Sequence, residues 1–238
     1  MKRVVGLALI WLCAAFYPFL AYAAAVEVNP VRIELTAADR MGTMQLKNIG
    51  DKPVTMHIYA VKWVQQQGQD IYQKTSELLL VPPIVTIAGG DTQLLRLGLR
   101  RPADPNVELA YRIFLQEVPP QVRKHNNAIN TVFQIRVPVF VAPVAVRKQL
   151  SWSVTKSNND LHLGLVNNGN THIQITKLAI IPPNQQKPLV AKQVFNYLLP
   201  GQSAKWTLAI PKPLASNVIN VYAATDQGDV FAAAQVIR

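Results

Sequence analysis

Alternation of apolar and polar residues with a period of two runs through most of the chain, and this feature most restricts the possible fold. Clear examples are residues 26–35 (VEVNPVRIEL), 54–63 (VTMHIYAVKW), 92–99 (TQLLRLGL) and 150–156 (LSWSVTK). A period of two places successive side chains on opposite faces, as in a half-buried β-strand. Turn-forming residues such as Gly89-Gly90-Asp91 and Pro119-Pro120 separate these segments. Many short strands at such spacing predict antiparallel sandwiches rather than a parallel sheet with helices.

A short internal repeat indicates two domains of the same kind. Leu46-x-Asn48-x-Gly50 reappears as Leu165-x-Asn167-x-Gly169, and three turn-forming residues and a β-branched residue follow each copy. This spacing fits a hairpin or sheet-crossing turn that is used twice. We therefore predict an all-β chain of two sandwich domains, with the boundary near residues 143–149.

The N-terminus has the pattern of a secretory signal peptide. Lys2 and Arg3 precede an apolar run over residues 4–20, and Ala21-Tyr22-Ala23 places small residues at the two critical positions of a cleavage site. A membrane anchor is the alternative, but the run is shorter than the ~20 residues that a spanning helix requires. We predict that residues 1–23 are a signal peptide and that no integral membrane segment remains after its cleavage.

The predicted mature chain, residues 24–238, has no cysteine, because Cys13 leaves with the signal peptide. Its domains must therefore be stabilised by hydrophobic cores rather than disulfides, although an exported protein could form them. It retains 22 basic and 13 acidic residues, which gives a net charge of +9. The basic residues are scattered, and exported proteins rarely meet nucleic acid, so we expect no nucleic-acid partner.

No pattern of catalytic or metal-binding residues is evident. The chain lacks a Gly-x-Ser-x-Gly elbow, a phosphate-binding loop and a His-Glu-x-x-His motif. His57, His125, His162 and His172 have no metal-binding spacing, and we expect ordinary surface or edge positions for them. We therefore predict a protein that is not an enzyme and that has no catalytic residue, no metal and no cofactor.

The segment INTVFQIRVPVFVAP (129–143) has the alternation of a strand, yet Arg136 lies in its middle. The residues that share its apolar face are Ile129, Thr131, Phe133, Ile135 and Val137. Such residues ordinarily face the core of their own sheet, and this is one interpretation of the strand. The alternative is that a partner covers part of the face. The polar NNAIN segment and Thr131 would then keep an adhesive edge soluble.

Four segments together resemble the PapD-like family of periplasmic chaperones that assemble pili. PPIVTIAGGDTQLLRL (82–97) is similar to the family's Pro-Pro, apolar, Gly-Gly and Arg-Leu segment, and ELAYRIFLQEVPP (108–120) is similar to its Glu-x-x-aromatic strand that ends in Pro-Pro. VNPVRIEL (28–35) resembles the family's first strand, and ATDQGD (224–229) resembles its Asn-Asp-x-Gly turn. The four segments occur in the family's order.

The resemblance implies two immunoglobulin-like β-sandwich domains in a boomerang arrangement, residues 24–145 and 146–238, with a working cleft between them. In this family the last strand of the first domain is lent to a pilus or fimbrial subunit whose own fold lacks its final strand. The implied donor side chains are Ile129, Thr131, Phe133, Ile135 and Val137. The resemblance also implies a periplasmic location and delivery of the subunits to an outer-membrane usher.

The resemblance further implies two basic residues in the cleft that bind the C-terminal carboxylate of the subunit. Arg32 matches the first of these residues. The second, a lysine in the family, aligns with Pro138. Two candidates replace it: Arg136, two residues earlier on the same face of the strand, and Arg112, on the adjacent strand.

The family's interdomain Glu–Arg–Asp cluster is only partly present. Glu108 and Asp226 match its acids and are predicted to form the interdomain contact. Ala142 stands in the place of the arginine, which leaves Arg100 and Arg101 as candidate replacements. Pro138 and Ala142 are more similar to the archaic branch of the family, which serves spore-coat-U-like pilins.

A structural or adhesive subunit of a surface fibre is the alternative function. Such a protein would also be exported and immunoglobulin-like, but it commonly carries an N-terminal donor extension and often cysteines. Here a strand pattern begins within a few residues of the predicted cleavage site. We therefore predict a chaperone first and a fibre subunit second.

Overall fold

The computed structural model describes residues 26–119, 132–183, 185–211, 214 and 216–237. The predicted signal peptide lies outside this part of the chain. The described residues form seventeen β-strands and contain no helix. Accordingly, none of these residues belongs to a helix long and apolar enough to cross a membrane.

Ten strands form two facing sheets in the N-terminal domain. They are β1 (Val26–Asn29), β2 (Ile33–Leu35), β3 (Met41–Asn48), β4 (Val54–Gln66), β5 (Gln69–Lys74), β6 (Leu78–Val81), β7 (Ile84–Ile87), β8 (Thr92–Leu99), β9 (Leu109–Glu117) and β10 (Gln134–Val141). One sheet has the order β1-β3-β8-β6, and the other has the order β2-β10-β9-β4-β5, with β7 paired to β4.

Alternation along the strands places the core of this domain between the two sheets. In β8, for example, Leu95, Leu97 and Leu99 are buried, whereas Leu94 and Arg96 are exposed. Each fully buried apolar side chain stabilises the fold by about 1.5–3 kcal/mol. The period-two pattern of the sequence therefore determines which side of each strand packs inward.

Seven strands form the C-terminal domain. They are β11 (Leu150–Ser157), β12 (Asp160–Asn167), β13 (Ile173–Ile181), β14 (Val190–Leu198), β15 (Ser203–Ala209), β16 (Val218–Thr225) and β17 (Val230–Ile237). Their order is β14-β13-β16-β17-β11-β12-β15. The strand β17 pairs antiparallel with β16 and then in parallel with β11 at its last residues, so it links the two layers. A second hydrophobic core fills this domain.

The internal repeat marks the same turn in both domains. The side chain of Asn48 donates to two backbone carbonyl oxygens 2.7 and 3.0 Å away, and its Oδ1 accepts from the amide of Gly50 at 3.0 Å. Asn167 donates to carbonyls 2.8 and 3.0 Å away and accepts from the amide of Gly169 at 3.0 Å. Both asparagines are buried. A buried amide requires such partners, which explains the repeated Asn-x-Gly pattern.

Candidate functional site

The strand β10 is paired on both sides only at its C-terminal end. It runs antiparallel to β9 over its whole length, from Gln134 opposite Gln116 to Val141 opposite Leu109. In contrast, β2 pairs in parallel with residues 139–141 alone. No strand among the described residues pairs with residues 134–138 on that side, so this part of β10 is an open sheet edge.

The unpaired backbone groups of this open edge point away from β9. The amide of Glu117 donates to the carbonyl of Phe133 at 3.1 Å, so the odd-numbered residues of the strand face β9 and the even-numbered ones face the other side. The backbone groups of Gln134 and Arg136 therefore point to the open edge. Pro138 adds a carbonyl there but has no N–H to donate. Such an edge is a template for pairing with another strand.

The predicted donor side chains differ in their burial. Phe133 and Ile135 are half-buried and pack against the core of the N-terminal domain. Val137 is 2% exposed and belongs to that core. Ile129 and Thr131 lie outside the described residues. Among the predicted donor side chains that the structure describes, another chain could therefore cover apolar surface only at Phe133 and Ile135, which precede Val137.

The two candidate replacements for the family's lysine lie against aromatic rings on the outer face of the sheet. The guanidinium carbon of Arg112 lies 3.9 Å from the ring centroid of Trp63, and its side chain is 13% exposed. The same atom of Arg136 lies 5.2 Å from the ring of Phe114, and Arg136 is exposed. Arg112 is directly opposite Pro138 in the strand register, so its side chain emerges beside the position that aligns with the lysine.

Arg32 lies in a cleft of about 390 Å³ that residues of both domains line. Its Nη1 donates to Oδ2 of Asp226 at 2.6 Å, and its Nε lies 3.1 Å from Oε1 of Glu34. The side chain of Arg32 is 31% exposed, so part of the guanidinium remains accessible from the cleft.

Tyr197, from the C-terminal domain, lies beside both Arg32 and Arg112. Its ring centroid lies 5.7 Å from the guanidinium carbon of Arg112. Burial raises the pKa of the Tyr197 phenol, while the positive charges of Arg32 and Arg112 act in the opposite direction. Both arginines thus lie close enough to the phenol of Tyr197 to affect its pKa. Cations that converge in this way favour an anionic group such as a carboxylate.

The predicted interdomain acids, Glu108 and Asp226, meet at His172. Oε2 of Glu108 accepts from the backbone amide of His172 and lies 2.8 Å from its ring Nδ1. Oδ2 of Asp226 lies 3.3 Å from the ring Nε2, an ion-pair contact outside hydrogen-bond geometry. The imidazole therefore bridges an acid of the N-terminal domain and an acid of the C-terminal domain.

The expectation of an ordinary surface or edge position is wrong for His172, which is 6% exposed. Its burial arises because the two domains pack around it, and a strand pattern carries no signal of such a contact. Neither Arg100 nor Arg101, the two candidate replacements for the family's interdomain arginine, contacts Glu108 or Asp226. Arg101 pairs with Oε1 of Glu77 at 3.0 Å, and Arg100 is exposed. The groups that contact the two acids of the cluster are instead the imidazole of His172 and the guanidinium of Arg32.

His172 and Asp226 shift each other's pKa. Burial acts to lower the pKa of His172, but its contacts with Asp226 and Glu108 and their negative charges outweigh burial and raise it. Burial acts to raise the pKa of Asp226, but the contacts with His172 and the amide of Gln174, together with the charge of Arg32, hold it below its usual range. Among the described residues, no group of acids, histidines or cysteines is arranged to hold a metal ion.

Apolar and amide contacts complete the domain interface. A buried cluster between the domains consists of Trp63, Ala110, Phe140 and Leu199, with Tyr72 and Tyr197 packed against it. Oε1 of Gln65 accepts from the amide of Leu199, and its Nε2 donates to the carbonyl of Tyr197, both at 2.9 Å. These contacts hold β4 and the end of β14 together without an arginine at position 142.

Comparison with known proteins assigns the fold and the family. Residues 25–147 match a protein-family model described as "Pili and flagellar-assembly chaperone, PapD N-terminal domain". The match covers more than half of the chain, and the chain belongs to this family of assembly chaperones. The predicted PapD-like relationship is thereby confirmed. A search of curated proteins found no match.

Solved chaperone structures match the chain across both domains. A chain of the CsuC–CsuE chaperone–tip adhesion subunit complex, from archaic chaperone-usher Csu pili of Acinetobacter baumannii, is 21% identical over 90% of this chain and 100% of that chain, with a TM-score of 0.66. A chain of the Salmonella enterica SafA pilin–SafB chaperone complex is 16% identical over 88% and 96%, with a TM-score of 0.61. The E. coli chaperone DraB is 17% identical over 88% and 98%, with a TM-score of 0.58. These matches confirm the predicted fold of two immunoglobulin-like sandwiches.

Proposed function

We propose that this protein is a periplasmic chaperone that captures pilus or fimbrial subunits by strand addition at β10 and delivers them to an outer-membrane usher. The observation that carries the proposal is the open edge at residues 134–138, in a protein of a pilus-assembly chaperone family. Main-chain hydrogen bonds to a subunit strand would supply affinity there, and alternating side chains would supply specificity.

The donor side chains in this proposal are Ile129, Thr131, Phe133 and Ile135. Phe133 and Ile135 are half-buried in the free protein, so a subunit would complete their burial. Val137 has the same orientation but is already buried, so its role is to fix the strand to its own domain. This division separates the part of the strand that is lent from the part that is retained.

The carboxylate anchor in this proposal consists of Arg32 and Arg112. Both guanidinium groups lie near Tyr197, and Arg112 emerges opposite Pro138, the position that aligns with the family's lysine. Arg136 is more exposed and lies nearer to Phe114, so we assign it a peripheral role. In the free protein the guanidinium of Arg32 is paired with Asp226. A subunit carboxylate would bind Arg32 beside Asp226 or displace Asp226 from it.

Four further assignments accompany this proposal. The signal peptide is cleaved after Ala23, and the domain boundary lies between residues 145 and 146, within the connection from β10 to β11. Glu108 and Asp226 form the interdomain contact through His172. The resemblance to CsuC–CsuE supports placement in the archaic branch.

The test is co-purification from periplasmic extract. The tagged protein is co-expressed with each small secreted protein that is encoded beside it, as wild type and as the variants Phe133→Arg and Gln134→Arg. We expect wild type and Gln134→Arg to hold a stoichiometric partner and Phe133→Arg to lose it, because only residue 133 lies on the donor face. Gln134 is exposed on the opposite face, so its variant controls for the added charge.

Equal partner binding by all three proteins would contradict strand donation through this face. Absence of any partner, together with recovery of the protein in heat-resistant surface polymers, would favour the fibre-subunit alternative. Circular dichroism and urea unfolding of each variant establish that it is folded before the comparison is made.

A further inference from the structure

Both ring nitrogens of His172 face carboxylate oxygens. Nδ1 lies 2.8 Å from Oε2 of Glu108, and Nε2 lies 3.3 Å from Oδ2 of Asp226. An ionised carboxylate only accepts hydrogen bonds, and a neutral imidazole has a single N–H. A neutral ring would therefore direct the lone pair of one nitrogen toward a carboxylate. An imidazolium donates an N–H from Nδ1 to Glu108 and places the positively charged Nε2–H in ion-pair contact with Asp226.

The charges of this buried cluster balance when the ring is protonated. The side chains of Glu108 and Asp226 are 5% and 11% exposed and supply two negative charges, while Arg32 supplies one positive charge. Among these four side chains the charges sum to zero when His172 is protonated, and a neutral His172 leaves one negative charge uncompensated, which is costly in a buried site. The exposed carboxylate of Glu34 also contacts Arg32 and adds negative charge that favours the protonated ring. The other titratable or charged groups at the ring or along the cleft are Glu34, Lys148 and Tyr197.

The ring of Phe140 provides a second reason for a cationic His172. The two rings are stacked with their centroids 3.5 Å apart and their planes at 8°. An aromatic face is electron-rich and attracts a cation placed above it. Phe140 belongs to β10, so the imidazole contacts the N-terminal domain through this ring as well as through Glu108.

We propose that His172 is doubly protonated at neutral pH and acts as a titratable clamp between the domains, which loosens when the ring loses a proton at alkaline pH. Glu108 and Phe140 lie in the N-terminal domain, so the contacts that weaken are those that cross the boundary. The Arg32–Asp226 pair remains and keeps the domains associated. The clamp is a property of the fold and does not depend on subunit capture.

The direction of the pKa shifts determines the pH range of the clamp. The pKa of His172 is raised above its ordinary value of 6.5. A group with a raised pKa in the folded state contributes stability that is complete below its unfolded pKa and disappears as the pH rises through its folded pKa. The pKa of Asp226 is lowered from 3.8, so its contribution is complete above that value and disappears on acidification. The clamp is therefore strongest between these two values and weakens on the alkaline side.

The direct test is an NMR titration of the histidine rings in the mature protein from about pH 5 to 10. Comparison with the variant His172→Gln assigns the His172 signal, and the exposed His57 and His162 serve as internal references. We expect His172 to lose its proton at a higher pH than both references, with both ring nitrogens protonated before that point. A neutral ring at pH 7, or titration below the references, would overturn the proposal.

A stability measurement tests the clamp itself. Between about pH 6 and 9 we expect the unfolding temperature of wild type to fall several degrees further than that of His172→Gln, since about 1 kcal/mol corresponds to roughly 2–4 °C in a chain of this size. Equal falls in the two proteins would overturn the proposal. Small-angle scattering of wild type should show a wider distribution of domain separations at the higher pH, and an unchanged distribution would count against a clamp.

A further variant keeps the test decisive if His172→Gln fails to fold. Glu108→Gln leaves the imidazole in place but removes one of the two charges that raise its pKa. We expect the titration of His172 in this variant to move toward the reference histidines. An unchanged titration would show that the contact with Glu108 does not raise the pKa of His172, which would contradict the proposal.

Discussion

The two halves of β10 differ in sequence as well as in surroundings: residues 134–137 alternate between polar and apolar side chains, whereas residues 137–141 are continuously apolar and buried. Residues 139–141 are paired on both sides and are 0–1% exposed, and they join the domain core to the interface with the C-terminal domain. Residues 134–138 have β9 on one side and an open edge on the other. The difference arises because β2 is only three residues long and begins at Ile33, opposite Val139 in the parallel pairing. A short neighbouring strand thus leaves half of a well-anchored strand available for pairing.

The difference shows how a single strand can be stable in its own domain and still present an unpaired edge. The buried half fixes the register of β10 against β9 by packing as well as by hydrogen bonds. The open half inherits that register and presents the backbone groups of Gln134 and Arg136 in a defined position. Such preorganisation reduces the entropy lost when a partner strand binds.

The largest expected effect is the loss of stability caused by a substitution in the buried half of β10. We expect Phe140→Ala to lower the free energy of unfolding by about 3–5 kcal/mol, because it leaves a cavity between Trp63 and His172. The control in the open half, Gln134→Ala, should change it by about 0.5 kcal/mol or less. Urea unfolding of both variants measures the difference. Equal losses of stability would show that the two halves are not distinct.

The second expected effect concerns the cleft next to the open half. We expect Arg112→Met to weaken the binding of a captured subunit by a factor of about 10–150, which is the range for one lost hydrogen bond to a charged group. Methionine retains an apolar side chain over Trp63, so packing is largely preserved. Arg136→Met should weaken binding by no more than about fivefold, as for exposed charges.

Titration calorimetry with the isolated subunit, or with its C-terminal peptide, compares these two arginine variants. A larger loss for Arg136→Met than for Arg112→Met would reverse the assignment of the anchor. The measurement at low and physiological salt adds a check, because a buried pair is screened less than an exposed one.

The smallest expected effect concerns single backbone hydrogen bonds. Gln134→Pro removes an N–H that points to the open edge, and we expect subunit affinity to fall about 2- to 12-fold while the fold remains stable. The matched variant Ile135→Pro removes an N–H that points to β9 and should lower the free energy of unfolding instead. Calorimetry and urea unfolding of both variants test this alternation. The opposite assignment of the two losses would show that the even-numbered residues do not face a partner.

The sequence predicted the fold well because the fold depends on local periodicity. Alternation in segments such as residues 92–99 determines which side chains enter the core, and the repeated Asn-x-Gly pattern marks a turn that needs the buried amides of Asn48 and Asn167. The proposed donor face rests on the same alternation and stays a prediction. The open edge itself was not predictable from alternation, since it depends on where β2 begins beside β10.

The interface between the domains could not be predicted from the residues that form it. His172 follows a turn and has no special spacing, and its role depends on Glu108 and Phe140, which lie in the other domain. Tyr197 likewise has no sequence signal that connects it to Arg32. Each of these contacts joins positions far apart in the chain. A single sequence shows the periodicity of apolar residues, but it does not show which residues of one domain contact which residues of the other. The match of Glu108 and Asp226 to the family's acids was the one available signal.

The most direct test of strand donation is amide hydrogen exchange along β10, measured in the free protein and in its complex with a captured subunit. We predict that the amides of Gln134 and Arg136 exchange rapidly in the free protein and become protected in the complex, while those of Val139 and Val141 are protected in both. Equal exchange of Gln134 and Arg136 in the free and bound states would contradict the account, because the subunit would then bind elsewhere.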